Sequence, residues 1–219
     1  MTFNTKLRAK NLGLRRGKIE FIVLHDTAGS GTSNDAKYLA NDPEHRGISV
    51  DFCIDNEGTV WQLNPTLLNN YTFHAGRKTR FRGRVNRAVN QHSIGIEIAQ
   101  KAKLDFYPLV QVRAVADVCR FLCETFALTR GDIITHKAII TDGSRSDPRG
   151  FPWDEFWAYF VGNADQNVTD EHTTHKIVKG DTLWSLAKRF NTTIEHLKDL
   201  NDMNSPKTTI RVGYLFRVQ

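Results

Sequence analysis

The sequence predicts an α/β protein built from two units of unequal size. Over residues 1–161, segments with strand patterns alternate with segments of helical periodicity, which is typical of an α/β domain. A shorter succession of strand, helix, helix and strand occupies residues 175–219. Residues 162–174 between them are polar and have almost no apolar periodicity, so we predict a linker there.

Charge and hydropathy limit the partners that the chain is expected to bind. The net charge is +6 and the isoelectric point is about 9.3, which suits either nucleic acid or a polyanionic cell wall. Because the sequence contains no nucleic-acid-binding motif, we expect no nucleic-acid partner. No apolar run approaches the roughly 20 residues of a membrane-spanning helix, so no membrane span is predicted.

The N-terminal segment does not have the pattern of a Sec signal peptide. It reads MTFNTKLRAKNLGLRRGK, which is basic, but no apolar core follows the charges. We therefore expect the chain to be made in the cytoplasm, and its site of action depends on the motifs described below.

The first half of the large unit predicts a strand, a short helix and a hairpin. Glu20–His25 is a buried strand that ends in a histidine, and Thr32–Asn41 is a short helix with a Thr or Ser cap. Ile48–Ile54 and Thr59–Leu63 flank the turn sequence NEG, which predicts a hairpin.

The second half of the large unit predicts two more strands and two helices. These elements are the strand Ser93–Ala99, the long helix Tyr107–Leu128 with Pro108 in its first turn, the strand Asp132–His136 and an amphipathic helix over residues 153–160. Along Ser93–Ala99, three isoleucines share one face, and Gly95, Glu97 and Ala99 share the other. Leu68–Gln91 has no clear period, and we predict a long loop with a functional role.

The three cysteines predict free thiols and no disulfide framework. Cys53 lies in an apolar strand pattern, and Cys119 and Cys123 lie four residues apart on one face of a helical pattern. Their spacing is not that of a CxxC motif, and the count is odd. We therefore expect all three side chains to be buried and unpaired.

The small unit predicts two strands that enclose two helices. His175–Val178 is the first strand, and the sequence GDTL leads into a helix that the Asp181 carboxylate is predicted to cap. Apolar residues at helical spacing follow at Leu183, Leu186, Ala187 and Phe190, and then at Ile194, Leu197 and Leu200. Gly213 precedes the closing strand Tyr214–Val218.

This succession resembles the LysM module, a small βααβ unit that binds glycans containing N-acetylglucosamine. The resemblance covers the whole segment from His175 to Val218. It implies a polymer partner, peptidoglycan or chitin, and a glycan groove between two loops. The residues that it assigns to this groove are Gly180, Asp181, Thr182, Leu183 and Ile210.

Two predicted strands of the large unit end in histidines, His25 and His136, and the loop after the second one carries Asp147. Imidazole nitrogens and a carboxylate are suitable zinc ligands, and three protein ligands leave the fourth tetrahedral position open for water. Asp142 in the same loop is a competing choice for the carboxylate. Spacing alone is weak support, because eight histidines are scattered through the chain.

Five motifs occur in order along the large unit: IVLHDTAG, GISVDFCIDNEGTVWQL, FHAG, HSIGIEIA, and TH followed by SDPRGFPW. Together they resemble the zinc-dependent N-acetylmuramoyl-L-alanine amidases of the amidase-2 type, over about Ile19 to Phe160. The resemblance implies a mixed central β-sheet flanked by helices, with a Zn²⁺ cleft at one edge. It also implies hydrolysis of the amide between N-acetylmuramic acid and the L-alanine of the stem peptide in peptidoglycan.

The same resemblance assigns roles to individual residues. His25, His136 and Asp147 match the zinc ligands of the family. Glu97 matches the glutamate of the IGIE strand, which implies the general acid/base. His74 matches the histidine of the WHAG motif near the substrate cleft, which implies a contact with the substrate or with a metal ligand.

The chain departs from the family pattern in two places. Arg145 stands where the family usually has lysine; arginine can hold an oxyanion but cannot donate a proton at neutral pH. Val50 and Asp51 stand where the family often has Tyr-His or Ala-His, so Glu97 would carry the proton transfer alone. Asp142 lacks the Pro-Arg-Gly that follows the third ligand of the family.

Residues and resemblance together predict a monomeric peptidoglycan hydrolase similar to phage endolysins, made in the host cytoplasm and acting on the cell wall. A bacterial autolysin or a secreted toxin is the alternative setting. Two other functions stay open: a non-catalytic peptidoglycan-binding protein, and a zinc endopeptidase that acts within the stem peptide. The presence of all three candidate ligands and of Glu97 argues against a protein that only binds.

Overall fold

The structure is a computed structural model that describes residues 2–101, 106–162 and 174–190 and a further set of C-terminal positions. That set comprises 192–194, 197–198, 201, 203, 209–210, 212–213 and 215–218. The chain divides into two compact units, Met1–Val161 and Gly162–Gln219. The predicted linker, 162–174, lies outside the described residues except for its two end positions. Within the described ranges, no helix is long and apolar enough to cross a membrane.

The large unit alternates short strands and helices along the chain. In order, these are β1 (Gly13–Leu14), β2 (Phe21–Asp26), α1 (Ser33–Asn41), β3 (Phe52–Ile54), β4 (Val60–Gln62), β5 (Asn70–Tyr71), β6 (Arg80–Phe81), β7 (Arg84–Val85), α2 (Arg87–Gln91), β8 (Ser93–Ile98), α3 (Leu109–Phe126), β9 (Ile133–Thr135), α4 (His136–Ile139) and α5 (Trp153–Phe160). A 3₁₀ turn, Arg130–Asp132, precedes β9.

Five strands form the central sheet in the order β4, β3, β8, β2, β9. Neighbours from β3 to β9 run parallel, and β4 pairs antiparallel with β3 at one edge. The predicted mixed sheet flanked by helices is therefore confirmed. Because parallel strands end at the same edge of a sheet, residues at the carboxyl ends of β2, β8 and β9 come together there.

The two faces of the sheet carry different side chains. The isoleucines of β8 pack with Ile22 and Leu24 of β2 and with residues of α3 and α5 in the main hydrophobic core. Val23 points to the opposite face, where it belongs to a smaller apolar cluster. Residues two apart along a strand share a face, so His25 and its neighbour Glu97 on β8 continue this second face.

Most predicted elements of the large unit are present, with boundaries shifted by a few residues. Thr32 is the N-cap of α1, and its side chain accepts a hydrogen bond from the Asn34 N–H. The hairpin prediction is confirmed by the pairing of β3 with β4. The free thiols are also confirmed, since all three cysteines are buried and unpaired.

Three details of the large unit differ from the expectation. The segment 68–91 is not one loop but contains β5, β6, β7 and α2. The sequence did not predict these strands, because strands of two residues are too short to produce a recognisable period. Pro108 is the N-cap residue of α3 and does not lie within its first turn. His136 begins α4 instead of ending β9, since the Thr135 side chain caps that short helix.

The small unit contains β10 (Thr174–Lys176), α6 (Leu183–Arg189) and β11 (Leu215–Arg217). The two strands pair antiparallel, with His175 opposite Phe216. The predicted second helix lies partly outside the described residues; positions 194, 197 and 198 are helical. The core of the unit contains Ile177, Leu183, Leu186, Ala187, Leu197, Phe216 and Val218.

The predicted cap of α6 is wrong. Thr182 is the N-cap: its hydroxyl accepts from the Ser185 N–H at 3.0 Å, and the Ser185 hydroxyl accepts from the Thr182 N–H at 2.9 Å. Asp181 Oδ2 instead accepts from the Val178 N–H at 2.8 Å and lies 2.8 Å from His175 Nε2. Asp181 therefore holds the turn that precedes the helix, one residue before the capping position.

Candidate metal centre

The candidate site lies at the carboxyl edge of the sheet, on the face opposite the main core. His25 stands near the end of β2, and Glu97 is its register partner on β8. His136 directly follows β9, and Asp147 lies in the loop after α4. The fold thus brings together four residues that are far apart in the sequence.

His25, His136 and Asp147 form a group whose ligand atoms all lie within 4.8 Å of one another. Asp147 Oδ2 lies 2.9 Å from His136 Nδ1 and 3.5 Å from His25 Nδ1. Ligands at about 2.0–2.1 Å from a tetrahedral zinc ion are roughly 3.3 Å apart, so these two distances bracket the spacing that zinc requires. Two imidazoles and one carboxylate are also a donor set of catalytic zinc sites. The residues present therefore fit a zinc ion.

The loop that carries Asp147 is held by three hydrogen bonds. The Arg149 N–H donates to Asp26 Oδ2 at 2.9 Å, and the Lys137 N–H donates to the Asp147 carbonyl at 3.2 Å. The Tyr107 hydroxyl donates to the Arg149 carbonyl at 2.9 Å. Sequence reasoning missed Asp26, although a carboxylate directly after a ligand histidine was a visible signal.

The surroundings favour the protonation states that bind a metal. Burial lowers the pKa of His25 to about 4. The hydrogen bond with Asp147 acts in the opposite direction and raises this pKa, but its effect is smaller than that of burial. Burial also raises the pKa of Asp147, but the hydrogen bonds with His136 and His25 outweigh burial and hold that pKa below its usual value. Neutral imidazole and ionised carboxylate are the forms that coordinate metal ions.

Glu97 contributes a buried carboxyl oxygen beside this group. Its Oε2 has no hydrogen-bond partner among the residues that the structure describes. Burial raises the pKa of the Glu97 carboxyl well above its usual value, and the charges of Asp147 and Asp26 raise it further. Since buried polar atoms are normally paired, the free oxygen is in position to bond to a water molecule or a substrate group.

His74 is buried, and both of its ring nitrogens contact protein groups. Its Nδ1 lies 3.0 Å from His25 Nε2, and its Nε2 lies 3.0 Å from the hydroxyl of Ser93. Neither nitrogen is left for a substrate, so the structure favours the contact with a metal ligand over the predicted substrate contact. Sequence reasoning did not single out Ser93, whose position at the start of the SIGIEIA strand was its only signal.

The two other residues of the predicted cleft lie at its surface. Arg145 is exposed, and its positive charge lowers the pKa of His25 and of Glu97. Asp142, the competing third ligand, is also exposed, and its Oδ2 pairs with Lys78 Nζ at 3.1 Å. Asp142 therefore lies apart from the two histidines.

Asp51 has a structural role at the position where the family often has histidine. Its carboxylate is fully buried and accepts hydrogen bonds from Asn64 Nδ2 at 2.7 Å, from the Thr72 hydroxyl at 2.8 Å and from the Gly95 N–H at 2.9 Å. The bond from Gly95 ties the residue before β3 to β8, and the other two tie it to the segments around Asn64 and Thr72. Asp51 consequently has little capacity left for proton transfer.

The predicted glycan groove lies in the small unit. Gly180, with φ of +100°, and Asp181 form the turn before α6. Leu183 is buried in the core of the unit, and Ile210 is half-buried in the segment before β11. Because the Leu183 side chain belongs to this core, Leu183 could contact a glycan in the groove only through its backbone.

Fold and site together define an α/β protein with a His–His–Asp group, suited to hold a metal ion, at the carboxyl edge of its sheet. The chain belongs to the Amidase_2 family, N-acetylmuramoyl-L-alanine amidase, whose sequence profile matches residues 15–150. The profile of the LysM domain matches residues 175–215. Both resemblances inferred from the motifs are therefore confirmed.

Known proteins of this kind are similar to the chain along most of its length. It is 30% identical over 207 residues to N-acetylmuramoyl-L-alanine amidase XlyA of Bacillus subtilis (strain 168). The aligned region covers 90% of this chain and 60% of XlyA. The chain spans about three fifths of the length of the curated relatives that it matches.

Solved structures share the fold of the large unit. A crystal structure of an AmpD derivative has a TM-score of 0.60 at 22% identity, and the superposed region covers 73% of this chain and 99% of the AmpD chain. A mutant endolysin from Bacillus subtilis has a TM-score of 0.55 at 25% identity, with the same coverage of 73% and 99%.

Proposed function

We propose that this protein is a zinc-dependent peptidoglycan hydrolase that cleaves the amide between N-acetylmuramic acid and the L-alanine of the stem peptide. The observation that carries the proposal is the convergence of His25 Nδ1, His136 Nδ1 and Asp147 Oδ2. Beside them lies Glu97, whose Oε2 has no hydrogen-bond partner in the part of the chain that the structure describes. The family and the similarity to XlyA support this choice of bond.

His25, His136 and Asp147 are the residues that would hold the zinc ion. The ion would polarise a water molecule and lower the pKa of that water to about 7. Glu97 takes a proton from the attacking water and delivers one to the leaving amide nitrogen. Its unpaired Oε2 is the atom available for both transfers. The Arg145 guanidinium stabilises the negative charge that develops on the carbonyl oxygen.

The small unit is proposed to hold the enzyme on its insoluble substrate. A LysM domain implies binding to the N-acetylglucosamine-containing glycan of peptidoglycan, through the groove residues Gly180 to Leu183 and Ile210. Two linked binding sites raise the effective concentration of the catalytic unit at the wall without changing its chemistry.

The biological setting that we propose is lysis by a phage endolysin acting as a monomer. Similarity to a solved mutant endolysin and to XlyA supports this setting. In this proposal the enzyme is made in the host cytoplasm and reaches the wall once the membrane has been breached. A holin gene beside the coding sequence would support the lysis role.

Mass spectrometry of digested peptidoglycan tests the proposed bond. Intact stem peptides with new L-alanine N-termini are expected. Fragments cut within the stem peptide or the cross-bridge would identify an endopeptidase instead. Tight binding to sacculi without any released product would identify a protein that only binds.

Replacement of Arg145 tests the stabilisation of the oxyanion. Arg145→Lys is expected to keep much of the activity, because a cation remains at the mouth of the site. Arg145→Ala should lower turnover by about 10²-fold, at the lower end of the range for an oxyanion donor, since the guanidinium is exposed. Both variants are assayed on the same muropeptide; normal kinetics of the alanine variant would assign Arg145 to the solvated surface.

Removal of residues 162–219 tests the role of the small unit. We expect a folded, zinc-loaded large unit that adheres less to purified sacculi and lyses whole walls more slowly. Hydrolysis of a small soluble muropeptide should hardly change, because the removed unit acts through effective concentration. A sacculus pull-down beside the soluble assay measures both effects, and equal binding by the truncated and full-length proteins would contradict this role.

A further inference from the structure

We propose that His74, Ala75 and Ser93 fix the tautomers of both candidate metal histidines, so that each presents an unprotonated Nδ1 to the metal. His74 and Ala75 belong to the FHAG segment, and Ser93 begins β8. The inference deepens the proposed function, since it assumes a metal ion at His25, His136 and Asp147. It makes His74 and Ser93 positioning residues that act through His25.

The direction of the hydrogen bonds follows from a single carbonyl group. The Ser93 hydroxyl donates its only proton to the Val89 carbonyl, 2.7 Å away, because a carbonyl can only accept. Ser93 Oγ must then accept from His74 Nε2, at 3.0 Å, which places the His74 proton on Nε2. His74 Nδ1 is left as an acceptor, so the bond of 3.0 Å to His25 Nε2 requires the proton on that nitrogen.

The neighbouring residue determines the tautomer of the second histidine. His136 Nε2 lies 3.2 Å from the Ala75 carbonyl, which again can only accept. A proton of His136 is therefore on Nε2, and Nδ1, which faces Asp147 Oδ2 at 2.9 Å, is the nitrogen left for a metal. Two consecutive residues thus orient both histidines, one through a side chain and the other through the backbone.

The position of the His74 ring is built into β8 and into the backbone around it. A Cβ atom at Gly95 would lie 2.3 Å from His74 Cγ, so only glycine at this strand position admits the ring. On either side of His74, the Phe73 N–H donates to Ser49 Oγ and the Ala75 N–H donates to Asn90 Oδ1, each at 2.8 Å. Backbone and strand together hold the ring between His25 and Ser93.

The affinity of the full-length protein for zinc, measured by competition with a chelator, tests the inference without reference to catalysis. Ser93→Ala and His74→Leu are expected to weaken zinc binding by about 10- to 100-fold, the usual cost of losing a group that orients a metal ligand. His74→Asn should regain most of the affinity, because its side-chain oxygen can accept from His25 Nε2.

Thr32→Ala is the control for these variants. At the start of α1, the Thr32 hydroxyl accepts from the Asn34 N–H at 3.3 Å and lies 2.8 Å from the Ser30 hydroxyl, away from His74 and both ligand histidines. The zinc affinity of this variant should be that of the unchanged protein. An equal loss in Thr32→Ala and Ser93→Ala, or an unchanged affinity in His74→Leu, would overturn the inference.

Nitrogen-15 NMR of the histidine rings in the metal-free, full-length protein gives a second readout. His25 and His74 are each expected to carry the proton on Nε2 and none on Nδ1, and His136 is expected to carry a proton on Nε2. A proton on His74 Nδ1 would overturn the inference whatever the affinities are. Failure of the unchanged protein to bind zinc would count against the proposed function, and the ring tautomers would still decide the inference.

Discussion

Removal of the metal is expected to abolish wall lysis by the full-length protein, and added zinc is expected to restore it. The purified protein should contain about one zinc ion per chain, because His25, His136 and Asp147 would provide the three protein ligands of one site. Without the ion, the site would lose the group that generates a strong nucleophile from water at neutral pH. Metal analysis before and after chelation, beside a lysis assay, measures both the content and the dependence.

Two aspartates of one loop provide a matched pair of variants for this prediction. Asp147→Asn should lose zinc and activity together, because a neutral amide is a poor zinc ligand. Asp142→Asn should keep both, since Asp142 is exposed and pairs with Lys78 outside the site. Full activity of a verified metal-free sample, or loss of zinc in Asp142→Asn alone, would contradict the assignment of the ligands.

Glu97→Gln is expected to lower turnover by about 10²- to 10⁴-fold, the usual contribution of a general acid/base. The substitution keeps the size of the side chain and removes only the capacity to accept and deliver a proton. Zinc content and thermal stability should stay near those of the unchanged protein, because Glu97 is not among the three ligands and its buried Oε2 bonds to no described residue.

Glu124→Gln is the control for this variant. Glu124 is an exposed carboxylate on α3, which packs on the other face of the sheet, so its replacement should leave turnover unchanged. Turnover is measured on a soluble muropeptide, so that adhesion to the wall does not enter the comparison. If Glu97→Gln turns over at the normal rate with zinc bound, the acid/base residue lies elsewhere.

The order of strands and helices could be predicted because it depends on local patterns. Alternating isoleucines in SIGIEIA, the capping threonine before α1 and the glycine-containing turn after β3 each act within a few residues. The same is true of the ordered motifs, which predicted the family and five of the site residues. Elements of two residues, such as β6 and β7, were missed because so short a strand has no period.

The amino-acid sequence by itself determined the two-unit organisation, the α/β class and the family, through patterns that are contiguous along the chain. The Pro-Arg-Gly after Asp147 favoured that residue over Asp142, but only the tertiary structure showed that Asp147 meets both histidines while Asp142 pairs with Lys78, because these contacts depend on what the loop folds against. It also decided that His74 contacts His25 and that Gly95 makes room for its ring. Such contacts join residues from different strands and loops, so their distances arise from the packing of the sheet and leave no periodic signal in the chain.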